Sequence, residues 1–266
     1  MSLNVAQYIQ TRGLIEEWLA NLKKNKSSPL ESIERLVCLI CFLQDSSSCT
    51  QQLLDSFKRA DGYVFLAELL LSLEDNLQSK QADSRKAESL ECEDALRNLV
   101  LLVASLATCG FIELRPSAPS SGGSHQSGFR LPRPMGRGVS VRNISAFQVL
   151  QTVWTRSKSL ILTTTILDVI LSLYQQDPAN YFILLPQKTI SILADRVMEK
   201  PIDNMRRFFN IIEWVGLNLG YVLSEELQPI LTILRQNVSI EFTMGSFSMI
   251  ERLIKQKRTY KVNLAK

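Results

Sequence analysis

Ala95-Leu96-Arg97-Asn98-Leu99-Val100-Leu101-Leu102-Val103-Ala104-Ser105-Leu106-Ala107-Thr108 decides the fold class. Leu96, Leu99, Val100 and Val103 fall at i, i+3, i+4 and i+7, the spacing that gathers side chains onto one face of an α-helix. The same template recurs at Ile33, Leu36, Val37 and Ile40, and at Ile190, Leu193, Ala194 and Val197. It recurs again at Phe208, Ile211, Ile212 and Val215, and at Leu227, Ile230, Leu231 and Leu234. A half-buried strand requires a period of two, which none of these windows has. The charge-free stretch around the first window runs only from Asn98 to Ile112. That is short of the roughly 20 apolar residues a membrane span needs, so it reads as a buried core helix.

Outward from this stretch, the spacing predicts helices over 3–23, 29–44, 50–59, 61–78, 89–109, 143–156, 159–176, 178–184, 187–199, 202–219, 224–236 and 241–257. Ser28-Pro29-Leu30-Glu31 has the form of a capping box with Pro at the first helical position. Glu91, Glu93 and Asp94 place acid at a helix start, and Gly110 stands where a C-terminal glycine belongs. Pro186 and Pro201 mark further starts. Helix 159–176 is apolar on two faces, through Ile166, Ile170 and Leu173 and through Leu167, Leu171 and Tyr174. Such a helix is sandwiched between layers, as in a solenoid. The expected fold is therefore all-α, an α-solenoid of antiparallel helix pairs with one long Gly/Pro/Ser-rich loop. Asp61-Gly62-Tyr63-Val64-Phe65-Leu66 and Asn180-Tyr181-Phe182-Ile183-Leu184 are local echoes, each a turn and an aromatic leading into a Leu-rich helix.

Composition fits a folded chain, with hydrophobic residues at 45% and charged residues at 21%. The segment 110–142 departs from it, because it gathers Gly and Pro with Ser117, Ser120, Ser121, Ser124 and Ser127. It offers no face to bury, and residues 111–137 are expected to be mobile, with order returning near Val139 and helix near Ile144. The divisions are a helical-repeat segment at 1–109, the basic loop at 110–142, a second helical-repeat segment at 143–237, and a divergent, basic helical tail at 238–266.

Charge is distributed unevenly. Residues 1–113 hold 11 basic against 16 acidic side chains, 168–266 hold 12 against 10, and 114–167 hold 7 basic and no acidic ones. Arg115, Arg130, Arg133, Arg137, Arg142, Arg156 and Lys158 make this cationic stretch. Of these, Arg130, Arg133, Arg137, Arg142, Arg156 and Lys158 are the candidate contacts to an anion or an acidic partner surface. Aromatic residues for base stacking are sparse, namely Phe129, Phe147 and Trp154, so no specific nucleic acid is expected. The bland alternative is a soluble loop held open by like charge. A second basic run, Arg252, Lys255, Lys257, Arg258 and Lys261, reads as a solvated helix end.

Little else carries chemistry. Cys38 and Cys41 stand one helical turn apart with Cys49 nearby, which reads as core thiols rather than a four-ligand metal site. His125, the sole histidine, sits in the Gly/Ser-rich loop with no rigid element to orient it, which disfavours Ser–His and Cys–His catalysis. Gly136-Arg137-Gly138 lacks the strand and the Lys-Ser/Thr ending of a phosphate loop. Gly216 and Gly220 read as close approach or helix termination, and Glu16-Glu17 and Glu225-Glu226 as solvated helix faces. No catalytic residue, cofactor or metal is expected. Five cysteines and no apolar run after Met1 point to reduced thiols in the cytoplasm.

Four stretches carry a family resemblance: Asp61-Gly62-Tyr63-Val64-Phe65-Leu66-Ala67-Glu68-Leu69-Leu70-Leu71, Ala95 to Val100, Gly138 to Gln151, and Ala179 to Leu184. In this order and spacing the chain resembles the N-terminal armadillo-like region of the Alfy and blue-cheese group, the large WD-repeat and FYVE-domain-containing BEACH proteins. The resemblance runs over about 30–235, and 138–151 is its most specific part. It implies an armadillo/HEAT-like solenoid that scaffolds selective autophagy and endosomal or vesicle trafficking by protein–protein contact. The implied partners are other proteins and the remainder of a larger parent chain, at endosomal or autophagic membranes held peripherally. The rival function is direct binding of anionic lipid or nucleic acid through 115–158. The C-terminal BEACH, WD-repeat and FYVE modules of the group have no counterpart here, so no binding residue carries over from them.

Overall fold

The computed structural model describes residues 3–24, 29–44, 50–82, 86–108, 115–116, 129–130, 139–220 and 224–236. Among them the chain is helical. The helices are Leu3–Thr11 (α1), Leu14–Lys24 (α2), Pro29–Gln44 (α3), Thr50–Arg59 (α4), Gly62–Ala82 (α5) and Lys86–Thr108 (α6). Then come Ile144–Arg156 (α7), Leu160–Gln176 (α8), Ala179–Leu184 (α9), Thr189–Val197 (α10), Ile202–Leu219 (α11) and Ser224–Gln236 (α12). A two-residue antiparallel ribbon, Arg115–Pro116 (β1) with Phe129–Arg130 (β2), lies inside the Gly/Pro/Ser-rich interruption, where no regular structure was expected.

Several expected boundaries move. The helix expected over 3–23 is broken at Gly13, whose φ of 64° is left-handed. Just before the break, the Thr11 hydroxyl donates to the carbonyls of Gln7 and Tyr8 and completes the last turn of α1. Helix α6 starts at Lys86, so Glu91, Glu93 and Asp94 lie inside it rather than at its start. Pro186 sits in a 3-10 turn, Leu185–Gln187, and α10 begins only after Lys188. Pro201 does precede α11, and Gly220 ends that helix with a φ of 75°. Ser28, Cys49, Cys109, Gly110, His125, Arg133, Arg137 and the expected helix 241–257 lie outside the described residues.

The chain forms two compact units, Met1–Gly136 with Val141–Leu162, and Arg137–Ser140 with Thr163–Lys266. Helix α7 thus packs with the earlier helices, although its sequence position suggests a place among the later ones. In the first unit α5, α6 and α7 each pack on both of the others. Leu66, Leu70 and Leu73 of α5, Leu96, Leu99 and Val103 of α6, and Phe147, Leu150 and Trp154 of α7 are all buried. Each such side chain contributes about 1.5–3 kcal/mol by leaving water, and that burial drives the packing. Helix α3 adds Leu36, Ile40 and Leu43 against α6. Neither described thiol of α3 lies in the core as expected, because Cys38 is exposed and Cys41 is only half-buried.

The second unit packs α10 against α11 and α12. Phe208, Ile211, Ile212 and Val215 of α11 are buried, as the helical period requires, with Leu193 and Val197 of α10 and Ile230 of α12. Helix α8 is buried on both of its apolar faces, at Ile166, Ile170 and Leu173 and at Leu167 and Tyr174. Tyr174 stacks on Trp214 at 6.3 Å and meets Tyr181 edge-on at 5.8 Å. No described helix is long and apolar enough to cross a membrane.

Candidate interaction groove

Asp61-Gly62-Tyr63-Val64 builds one end of a groove in the first unit. Helix α4 stops at Arg59, and Asp61 turns the chain with a φ of 57°, a left-handed value that Asp tolerates better than most residues. Gly62 follows against the Phe57 ring. A Cβ there would run into the Phe57 ring, so any larger residue forces the ring to shift. This close approach sets Tyr63 edge-on to Phe57 at 5.1 Å and turns Val64 outward, 54% exposed.

Helix α7 forms the opposite wall and is held at both ends. The backbone N–H groups of Arg142 and Asn143 both donate to the Ala107 carbonyl at the end of α6, at 2.9 Å. Asn143 then uses both halves of its amide. Its oxygen accepts from the Ala146 N–H at 3.2 Å and caps the helix, and its Nδ2 donates to the Tyr63 hydroxyl at 2.8 Å. At the far end, Oε1 of the buried Glu74 on α5 accepts from the backbone N–H groups of Lys158 and Ser159, each at 2.7 Å. The carboxylate thereby also satisfies the positive end of the α8 dipole. Because Tyr63 meets the start of α7 and Glu74 its end, α5 and α7 run parallel.

Between them lies a groove of about 320 Å³. Ala67 and Val149 form its buried floor, Val64 rises from one rim, and Gln148 and Thr152 line the other. Four exposed charges surround it, Lys58, Asp61, Glu68 and Arg156. None of the four makes an ion pair among the described residues.

Among the described residues, the groove takes in one of the cations singled out from sequence. Arg156, in the last turn of α7, lines it. Arg142 and Lys158 are exposed and engaged through their backbone amides. Arg130 lies in β2, in register with Arg115 of β1. Phe147 and Trp154 are fully buried and unavailable for stacking on a base.

The second unit holds a closed polar site that sequence reading missed. Glu226, expected on a solvated face, is 5% exposed and accepts from the Tyr181 hydroxyl at 2.6 Å. Burial, with the Glu226 charge nearby, pushes the Tyr174 phenol well above the ordinary tyrosine value, against a hydrogen bond with Thr189. Asn180, fully buried, donates to the carbonyls of Val139 at 2.9 Å and Leu173 at 2.7 Å. The Ser140 hydroxyl donates to Asp177 at 2.6 Å, and this bond, with the Ala179 N–H, holds the Asp177 carboxyl below its ordinary range. Only the aromatic echo of the two turn motifs hinted at these contacts.

No family model and no solved structure matches the chain. It is similar to WD repeat- and FYVE domain-containing protein 4 of Mus musculus, at 28% identity over 262 residues, 97% of this chain. It is also similar to the protein of that name from Homo sapiens, at 27% identity over 252 residues, 94% of this chain. The chain spans about 8% of the length of these curated relatives.

Proposed function

The chain is related, at distant identity, to the WD repeat- and FYVE domain-containing group, and on that premise we propose that it is a non-catalytic scaffold segment acting by protein–protein contact. One observation carries this reading. The relation covers nearly all of this chain but only about 8% of the relatives, the relation expected of one segment within a large multidomain architecture. Its helices are one stretch of an armadillo-like solenoid in which neighbouring repeats stabilise each other. The setting is selective autophagy and endosomal or vesicle trafficking. The protein is cytoplasmic and reaches endosomal or autophagic membranes peripherally.

The rival is direct binding of anionic lipid or nucleic acid through 115–158. Two features weigh against it. Arg156 shares its groove with Asp61 and Glu68, and the aromatic residues Phe147 and Trp154 are buried. Pull-down on phosphatidylserine vesicles and on RNA at two salt concentrations separates the readings. A phosphate binder loses affinity steeply with salt, whereas the scaffold reading expects little capture at either concentration. The scaffold reading itself is tested by proximity labelling with a full-length parent and with a parent lacking this segment. Loss of a discrete set of trafficking or autophagy proteins supports it, and an unchanged set overturns it.

A further inference from the structure

We propose that the α5/α7 groove docks a short extended peptide of a partner protein, with an apolar anchor flanked on both sides by basic residues. The proposal deepens the scaffold reading and rests on it.

Val64 and Glu68 stand one turn apart on α5, and Asp61 sits at the turn that opens the helix, so the three line one rim of the groove. Two carboxylates, about 10 Å apart along the helix axis, bracket an exposed valine. Over half of the Val64 surface is exposed, while Ala67 and Val149 beneath it are buried. An apolar side chain laid across Val64 completes that contact and removes apolar surface from water.

Charge then selects the flanking residues. Asp61 and Glu68 are exposed, and neither carboxylate makes an ion pair among the described residues, although Lys58 and Arg156 line the same groove. An extended chain advances about 3.3 Å per residue. Cations two positions before and two positions after the anchor therefore come within reach of the two carboxylates. The opposite rim, with Gln148 and Thr152, is polar and uncharged and suits backbone groups of the peptide. Arg156 at one end and Lys58 at the other favour acidic residues only beyond the basic pair. A phosphate-bearing surface fits poorly, because the two carboxylates repel it.

The rim is also rigidly held. Asp61 occupies a left-handed turn whose carbonyl accepts from the Phe65 N–H at 2.9 Å. Gly62 is fixed by the Phe57 ring, and the two walls are tied by Asn143–Tyr63. A preorganised rim loses little entropy when a peptide binds.

The test is selection of 12-residue peptides from a random display library on the full 266-residue chain, with Kd measured for synthetic copies of the winners. The expected winners carry Lys or Arg two residues either side of an apolar residue. Asp61→Lys with Glu68→Lys should weaken them at least tenfold and enrich acidic-flanked peptides in a fresh selection. Val64→Glu, at an exposed position, should abolish capture while leaving the circular dichroism and melting temperature unchanged, which keeps the result readable if the double variant folds poorly. No enriched peptide, winners without the basic pair, or equal Kd for wild type and Val64→Glu overturns the proposal. So does preference for phosphatidylserine vesicles over peptide. In the proximity-labelling experiment, partners lost with the whole segment but kept by the Val64→Glu variant sink the groove and leave the scaffold reading standing. Partners unaffected by removing the segment sink the scaffold reading.

Discussion

Tyr63 and Tyr181 occupy matching places in two regions of the molecule, yet they do different work. Each follows a turn, stands in the first turn of an apolar helix and reaches a side chain of a later element. Tyr63 is half-buried, and its hydroxyl accepts from the neutral Asn143 amide at the edge of an open groove. Tyr181 is 1% exposed, and its hydroxyl donates to the buried carboxylate of Glu226 among Tyr174 and other aromatic neighbours. The same residue in the same local pattern thus marks the rim of an open groove in one region and a closed core in the other. The difference lies in what dielectric surrounds the bond. A neutral bond near water contributes little net stability, and a bond to a buried charge contributes more because losing it strands that charge.

Substitutions rank the two regions. The largest loss is expected beneath the groove, where Phe147→Ala opens a cavity in the α5–α6–α7 core and costs about 3–5 kcal/mol in urea denaturation. A silent Phe147→Ala would show that α7 does not share the core of α5 and α6. Tyr181→Phe should cost about 1.5–3 kcal/mol, because Glu226 loses its donor while remaining buried. Tyr63→Phe should cost only about 0.5–1 kcal/mol. If the two tyrosine variants cost the same, the contrast between rim and core is wrong.

Acid sharpens the contrast further. The folded-state carboxyl of Asp177 titrates below its unfolded value, because Ser140 and Ala179 donate to its charged form. Its contribution is therefore present above about pH 4, the ordinary range for Asp, and is lost as pH falls through the lower folded value. Denaturation midpoints measured from pH 6 downward should fall less steeply in Asp177→Asn than in wild type. The smallest effect is expected in the Gly/Pro/Ser-rich interruption. Replacing 117–135 by a short Gly/Ser linker should change stability by less than about 1 kcal/mol, because closure entropy varies only logarithmically with length. A larger loss would show that the β1–β2 ribbon contributes to the first unit.

Helix class and most helix bounds were legible because they depend on neighbours within four residues. Ile144 to Arg156 follows from its apolar spacing and the Asn143 cap, and α11 and α12 from their apolar spacing. The break at Gly13 was not read, because a single glycine inside a periodic window is ambiguous until its φ is known. The groove was legible only as fragments. Arg156 stood out as a cation, and Asp61 to Leu66 and Gly138 to Gln151 stood out as distinctive runs, but nothing local says that the two runs face each other.

By itself, then, the sequence determined the helical class, the positions of most of the described helices and the uneven spread of its charge. Those properties follow from side-chain periodicity and composition over short windows. Tertiary structure alone decided which polar residues matter. Asn143 finds Tyr63 across 80 positions, Lys158 finds Glu74 across 84, and Tyr181 finds Glu226 across 45. Glu226 and Glu16 are both acidic residues on helices, yet one is buried and bonded and the other is exposed. The reason is that burial and pairing belong to the packed chain. A carboxylate's environment is set by whichever distant helices close over it, and no short window of sequence contains them.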